Sequence, residues 1–284
     1  MIRMKIGRTF LWPIVIFIIV AAAVVAYGAI IGSGAPPLPP LREGGREGRQ
    51  PCAPTWAGLG LASCYPHCFC EAFHAGGIVQ PLTSYSNLFY LLAGLLILGA
   101  RGLPVLGSKN NLMIRRRGYI TGFGAAVIGI GVTSMFFHVS LTTLGWWLDY
   151  MGMYAFVGYC LIYGLARFRG WNGRTFALLY AALLAALGLG WIAAPELKRY
   201  LLAGLILAVI VVETVVHRVR RPFRISTRFF VAALAVFLLA FAFNVLDDSV
   251  LCAPASLWQW HALWHFMTAV SAGLLYLYYR SEEE

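Results

Sequence analysis

Five polar side chains stand out in an otherwise apolar sequence because their residue types are those used in metal-dependent hydrolysis. Ser134 and His138 are four residues apart, and Asp149 follows soon after them. His261 and His265 form a second pair with the same spacing, far along the chain. Residues at positions i and i+4 share one face of an α-helix, so each pair can direct its two side chains at one point.

Three imidazoles with a nearby carboxylate suit a catalytic zinc ion. Such sites use three protein ligands and keep a fourth position for water, and an i, i+4 histidine pair supplies two ligands from one helix. We therefore predict His138, His261 and His265 as zinc ligands, with Asp149 and Ser134 beside the metal as catalytic residues. Two other interpretations stay open at this point, namely histidines that bond locally at a membrane interface and a bis-histidine haem site. The haem site gives Asp149 and Ser134 no role.

The elements that carry these residues are long apolar helices. The chain has 284 residues, of which 60% are hydrophobic and only 12% are charged. About 20 consecutive apolar residues are needed to cross a bilayer as a helix, and several runs reach that length. We predict an all-α polytopic membrane protein with eight helices at roughly 10–32, 83–101, 118–139, 144–166, 174–194, 199–217, 228–247 and 257–279.

Three regions follow from this reading. Residues 1–32 form an N-terminal membrane anchor, because the apolar run after "MIRMKIGR" exceeds the roughly 7–15 residues of a signal-peptide core; a cleaved signal is the alternative. Residues 33–65 are rich in Pro, Gly and charge and form a flexible linker. Residues 66–284 form a membrane domain of seven helices, to which the first helix is an addition.

The net charge of +11 does not indicate a nucleic-acid partner, because of where the basic residues lie. If the N-terminus is cytoplasmic, 17 of the 22 Lys and Arg residues fall on the cytoplasmic side of the predicted helices. This is the positive-inside pattern of plasma-membrane proteins. We therefore expect both termini inside the cell and the histidines near the outer, periplasmic face.

Cysteine placement agrees with that topology. Five cysteines fall on the expected outer side, where disulfides persist: Cys52, Cys64, Cys68, Cys70 and Cys252. With five of them, one should stay unpaired or pair between chains. Metal binding by the 64–70 cluster is the alternative, although its spacing matches no standard zinc knuckle.

Four stretches of the sequence resemble the alkaline ceramidase family. They are "GVTSMFFHVSLTTLGWWLD", "HALWH", "CFCEAF…SYSNLFYL" and "DDSVLC", and the similarity covers about residues 66–280. The resemblance implies a seven-helix membrane amidase of the superfamily that also includes progestin-receptor-like and GPI-remodelling proteins. It implies zinc on His138, His261 and His265, with Asp149 and Ser134 flanking a water molecule.

The function implied by this resemblance is zinc-dependent cleavage of the amide bond of ceramide or a related N-acyl lipid, which releases a fatty acid. A non-enzymatic receptor or transporter on the same scaffold is the alternative. An apolar groove would hold the acyl chain. Aromatic residues that could line this groove are Phe136, Phe137, Trp146, Trp147, Trp258, Trp260 and Trp264. Packing or a place in the interfacial aromatic belt is the commoner role for each of them.

The resemblance also implies a disulfide between Cys70 and Cys252, and it departs from the family at a calcium site. Glu71 matches one of the acids expected there, but Gln80 and Cys68 stand where two others would be. A hard cation needs several oxygen ligands, so calcium is not expected. Glu71 is then a solvated or helix-capping acid.

Four other acidic features have simpler readings. We expect Glu213 and His217 to form an interfacial pair near a helix end. Asp247 and Asp248 could orient a metal-ligating histidine or cap a helix. The terminal "SEEE" should be a solvated tail.

Overall fold

The computed structural model describes residues 69–72, 74, 77–100, 111–219, 224–247 and 253–283. The predicted anchor 1–32, the linker 33–65, and Cys52, Cys64, Cys68, Cys252 and Asp248 lie outside these ranges and stay untested. Within the described ranges the chain is almost entirely helical and forms no β-strand, apart from one isolated bridge between Arg224 and Glu283.

Nine α-helices make up the described part of the chain. Their bounds are α1 Pro81–Ser86, α2 Leu88–Gly99, α3 Leu112–Arg115, α4 Arg117–Ser140, α5 Thr143–Arg169, α6 Gly173–Ala193, α7 Lys198–Val219, α8 Thr227–Asp247 and α9 Trp260–Arg280. A short 3₁₀ turn, Pro195–Leu197, joins α6 to α7. The long helices match the predicted ranges to within a few residues.

Six helical segments of the described residues are long and apolar enough to cross a membrane: Pro81–Gly99, Arg117–Ser140, Thr143–Arg169, Gly173–Ala193, Pro195–Val219 and Thr227–Asp247. The last helix, α9, has 21 residues but is richer in Trp, Tyr and His and is not among the six. The prediction of an all-α membrane protein is therefore supported, whereas a count of seven core spans stays a prediction.

A tight turn joins α4 to α5 and places the predicted site residues of both helices at one end of the bundle. Leu141 adopts a left-handed conformation with φ of 45°, which stops α4. The side chain of Thr142 then accepts a hydrogen bond from the N–H of Gly145 at 3.0 Å and caps α5. Because only two residues separate the helices, His138 and Asp149 lie toward the same end of the bundle.

The helices pack around α4, α5 and α9, and the bundle has two ends that we name by their residues. Helix α9 packs on α8 and α2, α4 packs on α2 and α5, and α5 packs on α6 and α7. The histidine end contains the C-terminus of α4 and the N-terminus of α9. The arginine end contains the C-termini of α5 and α9, and it holds ten of the twelve described Lys and Arg residues.

Two sequence predictions at the arginine end are wrong. Glu213 is buried and accepts hydrogen bonds from Arg167 and, at 2.9 Å, from Tyr278, so it does not form an interfacial pair with the exposed His217. Glu282 is also buried and forms a 2.6 Å ion pair with Arg167, so this residue of "SEEE" is not part of a solvated tail. The physical reason is that Arg167, buried at the end of α5, needs anionic partners.

Candidate metal centre

The structure brings the three predicted zinc ligands together in one buried cluster. His138 lies in the last turn of α4, and His261 and His265 lie in the first two turns of α9. Their ring centroids are 4.6 to 5.2 Å apart. One ligand nitrogen from each ring lies within 4.8 Å of the other two.

The tautomer of His138 follows from the orientation of Gln80. The Gln80 amide nitrogen donates to the carbonyl oxygen of Glu71 at 3.2 Å, so the amide oxygen faces the imidazole. That oxygen lies 2.9 Å from Nδ1 of His138 and can only accept, so Nδ1 carries the proton. Nε2 of His138 is then unprotonated, with its lone pair available, and it is buried without a hydrogen-bond partner.

The tautomer of His265 follows in the same way from Ser86. The Ser86 hydroxyl donates to the carbonyl oxygen of Thr83 at 2.7 Å, so its oxygen accepts from Nδ1 of His265 at 2.8 Å. Nε2 of His265 is therefore also free to bind a metal. The closest hydroxyl to it is that of Ser134, at 3.4 Å.

His261 is held through its backbone. Its N–H donates to Oδ1 of Asp247 at 3.2 Å, and the N–H of Cys70 donates to Oδ2 of the same carboxylate at 3.0 Å. Asp247, at the end of α8, thus caps the start of α9. In both of these hydrogen bonds the donor is a backbone N–H group. Nδ1 of His261 is buried without a hydrogen-bond partner, and the Phe69 ring covers the cluster at 4.1 Å from the His261 ring.

These features fit a zinc ion. A buried polar group left without a partner costs roughly 1–3 kcal/mol, and the cluster contains two unpartnered ring nitrogens. Zinc binds imidazole nitrogens at about 2.0–2.1 Å, so one ion between the three rings would satisfy the cluster once the rings move closer together. A haem would need its macrocycle between two facing imidazoles, and ring centroids about 5 Å apart leave no space for it.

Ser134 and Asp149 lie beside the cluster. Ser134 is buried, and its hydroxyl interacts both with Nε2 of His265 and with the carboxyl of Asp149. Asp149 is half-buried and does not belong to the group of three close ligand atoms. The serine hydroxyl therefore lies between the histidine cluster and the carboxyl group of Asp149.

Glu71 caps a helix, as one of the two sequence readings proposed. Its carboxylate accepts from the N–H groups of Leu82 and Thr83 at 2.6 and 2.8 Å and from the Thr83 hydroxyl at 2.5 Å. These donors belong to the first turn of α1, where a negative charge is stabilising. Glu71 and Gln80 are thus both engaged by protein groups.

An apolar groove lies between α5, α7, α8 and α9, and none of the five candidate site residues lines it. Its empty volume of about 890 Å³ includes space that is open to the outside. Tyr90, Trp264 and Thr268 line its end near the site, and the Tyr90 ring lies 6.1 Å from the His265 ring. Trp264 is the predicted aromatic that lines this groove. Phe137 and Trp146 instead pack in a separate core cluster.

Sequence reasoning missed the partners that orient the rings. Ser86 was part of the "SYSN" stretch but had no assigned role, and Gln80 was noted only as a missing acid. Phe69 lies in the "CFCEAF" stretch but likewise had no assigned role. The available clue was the presence of polar side chains at the start of an otherwise apolar helix. Buried polar groups need hydrogen-bond partners, so these side chains were candidates to contact the histidines.

No protein-family model matches the chain, and no curated protein is significantly similar to it. The likeness to alkaline ceramidases thus depends on the quoted motifs, and any function has to be argued from the geometry of the site.

Proposed function

We propose that this protein is a zinc-dependent membrane hydrolase that cleaves the amide bond of ceramide or a related N-acyl lipid. The observation that carries the proposal is the convergence of three histidine nitrogens with Ser134 and Asp149 at one end of the bundle. A structural role explains buried histidines, but it does not explain why two ring nitrogens are left without partners.

His138, His261 and His265 would hold the zinc, which when bound lowers the pKa of a water molecule and polarises a carbonyl oxygen. Asp149 accepts the proton of the attacking water as general base. The Ser134 hydroxyl donates a hydrogen bond to the substrate carbonyl oxygen as negative charge develops on it. Both roles match the position of Ser134 between His265 and Asp149.

The reaction balances with water as the only co-reactant. The water oxygen bonds to the amide carbon, the bond between carbon and nitrogen breaks, and the proton held by Asp149 passes to the leaving amine. The products are a free fatty acid and an amine. An ester could react in the same way, so the site chemistry alone favours acyl lipids as a class, and the resemblance favours amides.

The groove supports a lipid substrate. Its lining is almost wholly apolar, and its end at Tyr90 and Trp264 lies next to His265. An acyl chain in the groove would bring its carbonyl group toward Ser134. We propose that the histidine end faces outward in the plasma membrane, because the positive-inside rule places the arginine end in the cytoplasm.

The proposed Cys70–Cys252 disulfide would hold the segments that flank the site. The N–H of Ala72 donates to the carbonyl oxygen of Pro254 at 2.9 Å, so these two segments run side by side. Cys252 lies outside the described residues, and the pairing stays a prediction.

Metal content tests the first part of the proposal. We expect about one zinc per chain in the purified protein and a large loss in His261→Ala. His217→Ala is the matched control, because His217 is exposed at the other end of the molecule. Equal zinc in the wild type and His261→Ala, or iron with a Soret absorption band, would contradict the zinc assignment.

Hydrolysis tests the second part. Release of fatty acid is measured on a panel of N-acyl sphingoid lipids, other acyl amides and esters, in detergent or vesicles. Asp149→Asn should lose about 10²–10⁴ in rate and keep its zinc, because an amide cannot take the proton. Wild-type rates in this variant would refute the general base, and loss of zinc would make Asp149 a ligand. A wild type inactive on the whole panel would favour the receptor or transporter reading.

A further inference from the structure

The geometry points to Gln80 as a positioning residue that sets the metal-binding state of His138. This inference rests on the zinc site of the proposed function, but it concerns a residue outside the predicted ligand and catalytic set. Gln80 is fully buried between the start of α1 and the end of α4.

Gln80 holds both the backbone and the ring of His138. The Gln80 N–H donates to the carbonyl oxygen of His138 at 3.2 Å, and its side-chain oxygen accepts from Nδ1 of the same residue at 2.9 Å. Next to it, the N–H of Val79 donates to the carbonyl oxygen of Val139 at 3.2 Å. Two points of attachment fix the ring plane, and the side-chain bond fixes the proton on Nδ1.

Gln80 is itself held by Glu71 and Ser84. Its amide nitrogen donates to the carbonyl oxygen of Glu71 at 3.2 Å, and its own carbonyl oxygen accepts from the N–H of Ser84 at 2.8 Å. Glu71 is in turn fixed by the first turn of α1. A chain of hydrogen bonds therefore runs from the cap of α1 to the ring that would bind the metal.

An amide suits this position better than a carboxylate for a specific reason. Only the amide can donate to the Glu71 carbonyl oxygen while it accepts from His138. A carboxylate would still accept from His138, but it would place a second acceptor opposite the Glu71 carbonyl oxygen. An uncharged partner also adds less electron density to the imidazole than a carboxylate does, and such partners tune metal affinity.

Two substitutions separate positioning from a purely structural role. Gln80→Leu removes the acceptor for His138, and we expect zinc affinity to fall by about 10–100-fold in a chelator competition assay. Gln80→Glu keeps that acceptor and should retain zinc affinity close to that of the wild type. The thermal stability of Gln80→Glu should be the lower of the two, because it buries a charge and places a second acceptor opposite the Glu71 carbonyl oxygen, whereas Leu does neither.

Gln259→Leu is the matched control for loss of a buried glutamine at the same end. The Gln259 amide donates to loop carbonyl oxygens, including that of Ser256 at 2.6 Å, and its hydrogen bonds involve no histidine ring. This variant should lose thermal stability and keep its zinc affinity. The visible spectrum of the cobalt-substituted protein should change in Gln80→Leu and stay unchanged in Gln259→Leu.

The outcomes also separate this inference from the proposed function. Wild-type zinc affinity in folded Gln80→Leu, or weaker zinc binding in Gln80→Glu than in Gln80→Leu, would overturn the positioning role. A wild type that binds zinc but hydrolyses no acyl lipid would leave the role of Gln80 intact and overturn the proposed function alone. If Gln80→Leu does not fold, Gln80→Met, which keeps the side-chain length and removes the amide oxygen, replaces it in the comparison with Gln259→Leu.

Discussion

At the scale of single residues, the site depends on uncharged partners that decide which ring nitrogen carries a proton. The side-chain oxygens of Gln80 and Ser86 accept hydrogen bonds from the Nδ1–H groups of His138 and His265, which leaves Nε2 of both histidines unprotonated. The carboxylates near the site have other partners than the histidine rings. Glu71 and Asp247 each cap the N-terminus of a helix, whereas we propose Asp149 as the group that accepts a proton.

We predict that Ser134→Ala lowers the rate of lipid hydrolysis by less than Asp149→Asn does. Loss of a single oxyanion donor usually costs about 10²–10³ in rate, and a metal that shares this role reduces the cost. Ser140→Ala, also a buried serine of α4, is the control, since its hydroxyl donates to the carbonyl oxygen of Phe136. A rate for Ser134→Ala equal to that of Ser140→Ala would remove Ser134 from the mechanism.

We predict that Glu71→Ala destabilises the protein and that calcium does not affect stability. The substitution leaves the N–H groups of Leu82 and Thr83 without their acceptor, at a cost of about 1–3 kcal/mol. Thermal unfolding measures this effect, and Glu196→Ala, an exposed acid, is the control. A melting temperature of the wild type that falls when EGTA is added would show that calcium binds after all.

At the scale of helices, close packing of α4 on α2 sets the position of the site. A Cβ added to Gly131 would come within 2.9 Å of the carbonyl oxygen of Asn87 and 3.0 Å of the Tyr90 Cβ. Asn87 follows Ser86, the partner of His265, and Tyr90 lines the groove. Small residues at such contacts let membrane helices approach closely.

Gly131→Ala should therefore be destabilising, whereas Gly129→Ala on the same helix should be tolerated. An added Cβ at Gly129 meets nothing within 4 Å. Overpacking of this kind typically costs about 1–3 kcal/mol, which thermal unfolding in detergent would detect. Equal melting temperatures for the two variants would mean that α2 and α4 are not packed as described.

At the scale of the whole molecule, the two ends of the bundle have different chemistry. The histidine end carries the candidate metal site. The arginine end is closed by Arg167, which contacts Glu213 and Glu282, and by Asn111, whose amide donates to the carbonyl oxygen of Tyr279 at 2.8 Å. Helix α3, helix α5 and the end of the chain are therefore joined by polar contacts.

Glu282→Gln should lower thermal stability by far more than Glu283→Gln. Hydrogen bonds to charged groups contribute about 1.5–3 kcal/mol, and the variant leaves Arg167 with Glu213 as its remaining carboxylate in these contacts. Glu283 is exposed, so its substitution changes the formal charge equally without removing a buried contact. Similar melting temperatures would show that the buried ion pair does not hold the end of the chain.

The orientation in the membrane can be tested with two introduced cysteines. Arg169→Cys at the arginine end should resist an impermeant thiol reagent in intact cells, whereas Leu257→Cys, 88% exposed at the histidine end, should react. Peptide mass spectrometry separates these sites from the native cysteines. The reverse labelling pattern would place the chemistry on the cytoplasmic side.

The sequence by itself determined the helical membrane class and the residues of the candidate site. Apolar length and the i, i+4 spacing are local properties, so the helices α4 to α8 and the pairs Ser134/His138 and His261/His265 could be read directly. The excess of basic residues at alternate helix ends is also visible in the sequence without knowledge of the packing.

Only the tertiary structure decided which side chains orient the histidines and which acids are buried. The hydrogen bond between Ser86 and His265 joins residues 179 positions apart, and the ion pair of Arg167 with Glu282 joins residues 115 apart. Such contacts depend on how each helix is rotated about its axis and packed on its neighbours. A linear pattern does not contain that rotation, which is why Gln80 and Glu213 had been given other roles.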